Sequence, residues 1–291
     1  MLINDLYEME TLNKDYVKTI KKKRSLEENM INKKIAKQLF IFDYDVIKTD
    51  ENGFYNLNDM NTLKYILDKD YRKFIKETTD IKKLILNINR YNNLLNIDDK
   101  DIFNVYKLNI SLCFNLRYIG NLDNLIELDI KSCDNLLYIS KLKNLNKLNI
   151  SNCHKLNNIS SSLINLTDLN IEYCNNLLYI SDLKSIKSLN IKNCNYIRYI
   201  YNLKKLIYLD LSNVPNIDDI YNLDNLQYLN IFIAHNVSYL SNLSNLTDII
   251  LRQCSHFNLN SPSKLKYVSL DNCSNYNIDF DTNSIDRFLI L

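Results

Sequence analysis

The apolar positions of this chain recur every twenty residues from about residue 81 to Leu291. In Leu125–Asn144, LIELDIKSCDNLLYISKLKN, they fall at Leu125, Leu128, Ile130, Cys133, Leu136, Ile139 and Leu142. The frame LxxLxIxxCxxLxxIxxLxx begins at Val105 and recurs from Leu145, Leu166, Ile186, Leu206, Leu226, Leu246 and Leu265. Two copies change length: Ser160-Ser161-Ser162 adds one residue before Leu163, and the copy from Leu246 is one residue short. Each copy combines two periods. Leu128-Asp129-Ile130 alternates apolar, polar, apolar, which predicts a strand with one buried face. Leu136, Ile139 and Leu142 recur at every third residue, which suits 3₁₀ or extended coil better than a long helix. One such coil cannot cover its own apolar row. Stacked coils can, with their strands in a parallel sheet about 4.8 Å apart. The pattern predicts a solenoid of about ten coils over residues 81–291, spanning on the order of 45 Å.

The LxxLxI spacing, with Cys three residues on, resembles the leucine-rich repeat family over about residues 81–291. That resemblance implies an α/β fold: a right-handed solenoid with a parallel concave β-sheet and a short 3₁₀ or extended convex side. It also implies a non-enzymatic scaffold that binds a protein and carries no cofactor.

Residues 1–80 lie outside the repeat and predict a mainly helical N-terminal cap. Ile3, Leu6, Met9, Tyr16 and Ile20 share a helical face, as do Leu26, Met30, Ile35 and Leu39. Phe40–Ile47 reads as a strand, Asp50-Glu51-Asn52-Gly53 as a turn and Phe54–Leu57 as its return, a β-hairpin within 39–57. A further helix presents Leu63, Leu67, Tyr71 and Phe74. The cap is expected to cover the open end of the solenoid. At the other end Ile285, Phe288 and Ile290 restart the frame, so the final strand offers an apolar edge through which weak self-association is expected.

Composition narrows the partners. The 291 residues carry a net charge of only +2 and are 46% hydrophobic, so neither nucleic acid nor an anionic membrane is expected as partner. No secretory leader and no run of 18 uncharged apolar residues is read from the chain, which predicts a cytoplasmic protein. Gly, Pro and Trp are nearly absent while Asn, Ile, Lys and Tyr dominate, the residues of AT-rich codons. In this style the chain resembles leucine-rich repeat proteins of insect poxviruses (entomopoxviruses), which implies the host cytoplasm and a host or viral protein partner.

Aligning the copies separates filled columns from free ones. Cys113, Cys133, Cys153, Cys174, Cys194, Cys254 and Cys273 share one column, with Val214 and Ala234 in the same slot. Val and Ala bind no metal, so the column is read as small apolar filler, with no metal site and no disulfide. Asn109, Asp129, Asn149, Asn170, Asn190, Asp210 and Asn230 form a polar column mid-strand, expected to hydrogen-bond along the stack. Tyr118, Tyr138, Tyr179, Tyr199 and Tyr239 form a third, whose rings are expected to stack, interrupted by Asn158 and Asp219. A stacking platform for nucleic acid needs a basic track beside it, and only Arg117 and Arg198 flank these rings.

The strand positions flanking the polar column change character along the chain. Early coils place Lys107, Glu127, Lys131 and Lys147 there; later ones place Tyr208, Tyr228, Phe232, Arg252 and Tyr267. With Ile250, these residues are the predicted binding site, because exposed Tyr, Phe and Arg on a rigid sheet anchor interfaces. No catalytic constellation competes. Asp43 and Asp45 resemble the opening of haloacid-dehalogenase phosphatases but depart from that pattern at Ile47, and the repeats leave no room for that family's domain. His154, His235 and His256 show no metal or triad spacing. The runner-up, an F-box-like adaptor for ubiquitin ligation, lacks the Leu-Pro start and Trp of that pattern in residues 1–80.

Overall fold

A computed structural model describes residues 48–49, 55–57, 65, 72–73, 83–97, 104–140, 142–234, 239–240, 243–260, 264–279, 282 and 285–291. Among these residues the chain is a parallel-strand β-solenoid. Thirteen strands form its main sheet. Lys48–Thr49 pairs antiparallel with Tyr55–Asn56, and every later neighbour in the sheet pairs parallel, from Tyr55–Asn56 on Leu84–Asn89 to Tyr267–Asp271 on Arg287–Ile290. The register repeats from coil to coil: Leu128 faces Leu148, which faces Leu169, then Leu189, Leu209, Leu229, Ile249 and Val268. All eight side chains are buried. This follows from the alternation in each strand, since a one-residue slip would turn the whole apolar row to solvent. The one register shift lies between Leu84 and Ile85, where the first coil is longer than the rest.

The second side of the solenoid takes the extended one of the two forms that the spacing allowed. The apolar residues at every third position are not wound into 3₁₀ coil. They bracket single turns in which Leu116 N donates to Cys113 O, Leu136 N to Cys133 O, and Leu125 N to Leu122 O, at 3.1, 2.9 and 3.0 Å. Between the turns run strands of two or three residues, grouped into a three-strand sheet from Asn96–Ile97 to Tyr138–Ile139 and a six-strand sheet from Tyr179–Ser181 to Asn277–Asp279. The described residues of the solenoid, from 83 on, hold no α-helix, so the solenoid is all-β rather than α/β; ahead of it Tyr65, Arg72 and Lys73 are helical. Most of the helical cap, the strand expected at 40–47 and the face Leu63, Leu67, Tyr71 and Phe74 lie outside the described residues. Tyr65, absent from the expected core, is fully buried, and its carbonyl accepts from Arg72 Nη1 at 2.9 Å.

A backbone device missed by the hydrophobic pattern sets the coil's shape. The residue before each member of the cysteine column is left-handed: Leu112, Ser132, Asn152, Tyr173, Asn193, Asn213, Ile233, Gln253 and Asn272 have φ between 50° and 59°. Its N–H reaches the next coil, as Ser132 N does to Ser151 O and Asn152 N to Glu172 O, both 2.9 Å. This turn ends the strand and delivers the cysteine to the core. Asn tolerates the conformation because its short polar side chain crowds the backbone least among non-glycine residues. A second regularity also rests on Asn. Asn115, Asn135, Asn144, Asn165, Asn216, Asn225 and Asn245 each donate Nδ2 to a backbone carbonyl of the preceding coil, at 2.6–2.9 Å. The asparagine excess, read above as codon bias, is therefore also structural.

Among the described residues no helix is long and apolar enough to cross a membrane. Ile233 is the β-branched exception in the left-handed column, where such a residue is least tolerated. Ile233→Asn is expected to raise stability by about 1 kcal/mol, read as a higher denaturant midpoint by circular dichroism.

Candidate functional site

The concave face is built from the outward positions of the main sheet. Its first half is electrostatically self-satisfied. Lys107 Nζ lies 3.1 Å from Glu127, Lys131 Nζ 3.7 Å from Asp129, and Lys192 Nζ 3.9 Å from Glu172. Pairs this exposed add little stability, between about 0 and 1 kcal/mol each, but they leave few bare charges for a partner. The middle column pairs with itself in part of the stack; among the described residues no such bond joins Asp129 or Asn190 to a column neighbour. Asn87 Nδ2 donates to Asn56 Oδ1, Asn109 Nδ2 to Asn87 Oδ1 and Asn170 Nδ2 to Asn149 Oδ1, all at 2.7 Å.

The second half changes. Strand register places Tyr208 beside Tyr228, with Asp248, Tyr267 and Arg287 continuing that row. Phe232 lies beside Arg252, and Arg252 beside Asp271. The six predicted residues thus share one face of four consecutive strands. Tyr208 and Tyr228 stack with centroids 4.7 Å apart and planes 3° from parallel, which matches the strand spacing. Tyr208 OH donates to Asp210 Oδ2 at 3.1 Å. Burial, then the Asp210 charge and this hydrogen bond, push the Tyr208 phenol up to about 12. Burial and Asp210 also raise Tyr228. Tyr267 is covered by the Arg287 guanidinium, 5.7 Å from its ring centroid. Tyr208, Tyr228, Phe232, Ile250 and Tyr267 are half-buried, and Arg252 is exposed.

Asp210 and Arg287 were missed as members of this surface. Their signal was present, since both occupy the strand rows already singled out. Asn230 was read only as a ladder member, yet it carries a defect. Its Nδ2 donates to Asp210 Oδ2 at 3.1 Å, but its Oδ1 is buried and, among the described residues, has no hydrogen-bond partner. The next residue in the column is Ile250, which has no donor. An apolar side chain in a polar ladder leaves the previous amide unfinished, at a cost of about 1–3 kcal/mol.

The tyrosine column outside the sheet does not stack as expected. Tyr118 and Tyr138 meet at 4.8 Å with planes tilted 47°. Tyr179 faces Tyr201 rather than Tyr199, and Tyr201 stacks on Tyr221 at 5.3 Å. Tyr199 lies under Arg198, 5.6 Å from its ring, and Arg198 is ion-paired with Asp218. Residues two apart share one face of a strand, so Tyr201 lies on the same side as Tyr199 and can take its place against Tyr179. The side chain of Tyr239 lies outside the described residues, as do Asp43, Asp45 and His235.

The cysteine column lines the core. Cys113, Cys133, Cys153, Cys174, Cys194 and Cys254 are buried, and Cys273 is half-buried; all seven are free thiols. Each hydrogen-bonds the carbonyl two residues before it, as Cys194 Sγ does to Lys192 O at 3.3 Å. Val214 and Ala234 are equally buried in the same slot. Among the described residues no group of three or more His, Cys, Asp or Glu could hold a metal.

The strand, its left-handed exit, the turn and the short returning strand define a parallel β-solenoid of repeated coils. No protein-family model and no curated protein matches the chain. Among solved structures, an internalin of Listeria monocytogenes is similar over 75% of this chain and 82% of its own, at 18% identity and a TM-score of 0.38. A leucine-rich repeat protein of Leptospira interrogans is similar over the same shares, at 15% identity and a TM-score of 0.29. Neither is an insect-poxvirus protein, and the viral setting gains no support from them.

Burial pushes the Cys194 and Cys254 thiols from 9.0 up to about 12. The unfolded chain therefore loses these protons first as pH rises. Stability is expected to be flat below about pH 9 and to fall between about 9 and 12. Denaturant midpoints across that range test this, and Cys194→Ala/Cys254→Ala should make the fall shallower.

Proposed function

We propose that the chain is a non-enzymatic scaffold that binds a protein on its concave face, through Tyr208, Tyr228, Phe232, Ile250, Arg252 and Tyr267. The observation that carries this reading is the break in the amide ladder at Ile250. Among the described residues, Asn230 Oδ1 is the one buried side-chain oxygen left without a hydrogen-bond partner. Here an apolar side chain replaces a polar one on the concave face and strands a buried acceptor. A sequence that breaks its own local rule at a stability cost marks a place where something other than folding is selected. The surrounding chemistry suits a protein surface: two stacked phenols, a half-buried phenyl and an exposed guanidinium on a rigid support, the residue types that dominate interface energies. The preformed sheet needs little ordering on binding. A cytoplasmic setting belongs to the same proposal, and the seven free thiols are consistent with a reducing compartment.

Two variants test the reading. Ile250→Asn supplies the missing donor and should raise stability by about 1 kcal/mol. It should also weaken capture of whichever protein cross-links to the wild-type concave face. Tyr228→Ala/Phe232→Ala should reduce that capture by about tenfold or more, while Lys107→Ala/Lys147→Ala leaves it unchanged. Capture that survives the aromatic double change, scored by quantitative mass spectrometry, removes this patch as the site.

A further inference from the structure

The second side of the solenoid is split where the repeat is one residue too long. Its three-strand sheet ends at Tyr138–Ile139, and its six-strand sheet begins at Tyr179–Ser181. Asn158 and Ile159 occupy the equivalent position between them without forming a strand. On either side of this coil the backbone climbs regularly. Gly120 N donates to Ile97 O at 2.6 Å, Leu137 N to Arg117 O at 3.0 Å and Ser140 N to Ile119 O at 2.9 Å. Beyond the split, Arg198 N donates to Leu178 O and Asp218 N to Arg198 O, both at 2.9 Å. Among the described residues, Asn157 N and Ser160 N do not make the corresponding bonds to Leu137 O and Ile139 O. The cause is Ser160-Ser161-Ser162. The extra residue turns the chain back on itself: Ser162 N donates to Ser160 Oγ at 3.2 Å, the two hydroxyls lie 2.7 Å apart, and Leu163 N donates to Ser160 O at 3.2 Å. The backbone is occupied locally and does not tie to its neighbours.

The concave side is not split. Lys147–Ser151 pairs residue for residue with Asp168–Glu172, and the amide ladder crosses the same coil through Asn149 and Asn170. The core also continues, with Leu156, Ile159 and Leu163 buried. One face of this coil is therefore held by a ladder of backbone hydrogen bonds, the other by apolar packing and the side-chain bond of Lys155 Nζ to Asn135 Oδ1 at 2.7 Å. Hydrogen bonds weaken steeply when misaligned, whereas apolar burial is non-directional and tolerates sliding. On the concave side of this coil lies a hollow of about 240 Å³ lined by Asp129, Lys131, Asn149, Ser151, Asn170 and Glu172.

We infer that the coil from Cys153 to Ser162 is a hinge between two stiffer arms, and that bending about its concave strands opens and closes this hollow. The inference is independent of the aromatic patch, which lies wholly on the second arm. It makes the extra serine a functional irregularity, because restoring the twenty-residue period would let Asn158–Ile159 join the strands on both sides.

Spin labels test the hinge. Asp123, Lys184 and Ser244 are exposed at equivalent turn positions, each pair three coils apart, or about 14 Å at the strand spacing. In a Cys273→Ala background, the pair Asp123→Cys/Lys184→Cys spans the split, and Lys184→Cys/Ser244→Cys spans regular coils. The first pair should give the broader distance distribution by electron paramagnetic resonance, and deleting Ser161 should narrow it to the width of the second. Equal widths in the undeleted chain would overturn the hinge, whether or not the deletion variant folds. A distribution that stays broad in a folded deletion variant would overturn its assignment to the extra serine.

Discussion

Everything in this solenoid depends on one constraint: a twenty-residue coil has an apolar row that only another coil can cover. Leu128 is dry because Leu148 and Leu108 lie against it, and those are dry for the same reason. Burying one such side chain is worth about 1.5–3 kcal/mol, too little to hold an isolated coil against the entropy of ordering twenty residues. The stack is stable because the row is continuous, and its register is shared because a slip would expose it. The left-handed exits and asparagine donors refine this arrangement without replacing it.

The period, the strand positions and the cysteine column were legible because each rests on apolar burial, which recurs at fixed intervals and tolerates few substitutes. Cys133 and Ala234 look different in composition, yet the core treats them alike. The left-handed column was not legible, because Leu112, Tyr173 and Ile233 carry no sign of positive φ in their side chains. The second side stayed open between 3₁₀ and extended coil for a related reason. Three-residue spacing is shared by 3₁₀ coil and by strands punctuated with turns, and only backbone hydrogen bonding distinguishes them. The asparagines of the turns were legible as a bias but not as donors, since their acceptors lie twenty residues away.

At the candidate site, alignment of the coils grouped Tyr208, Tyr228, Phe232, Ile250, Arg252 and Tyr267 correctly on one face, because strand geometry converts a row in the sequence into a row in space. The alignment could not give the stack of Tyr208 on Tyr228, the hydroxyl bond to Asp210 or the unfinished amide of Asn230. Those depend on rotamers and on which neighbour lacks a donor. The contrast between the two arms has a common physical basis. A column that satisfies itself, as Asn149 and Asn170 do, is chemically inert toward partners, whereas a column that is interrupted leaves something to be recognised.

The turn asparagines also give the stack a direction. Each Nδ2 donor belongs to a later coil and each carbonyl acceptor to an earlier one, without exception in the seven bonds described. A chain emerging from the ribosome therefore meets its acceptors in the order it needs them. The left-handed exits run the other way, with Ser132 N and Asn152 N donating to carbonyls of the coil that follows, so each coil uses the one before it and is completed by the one after.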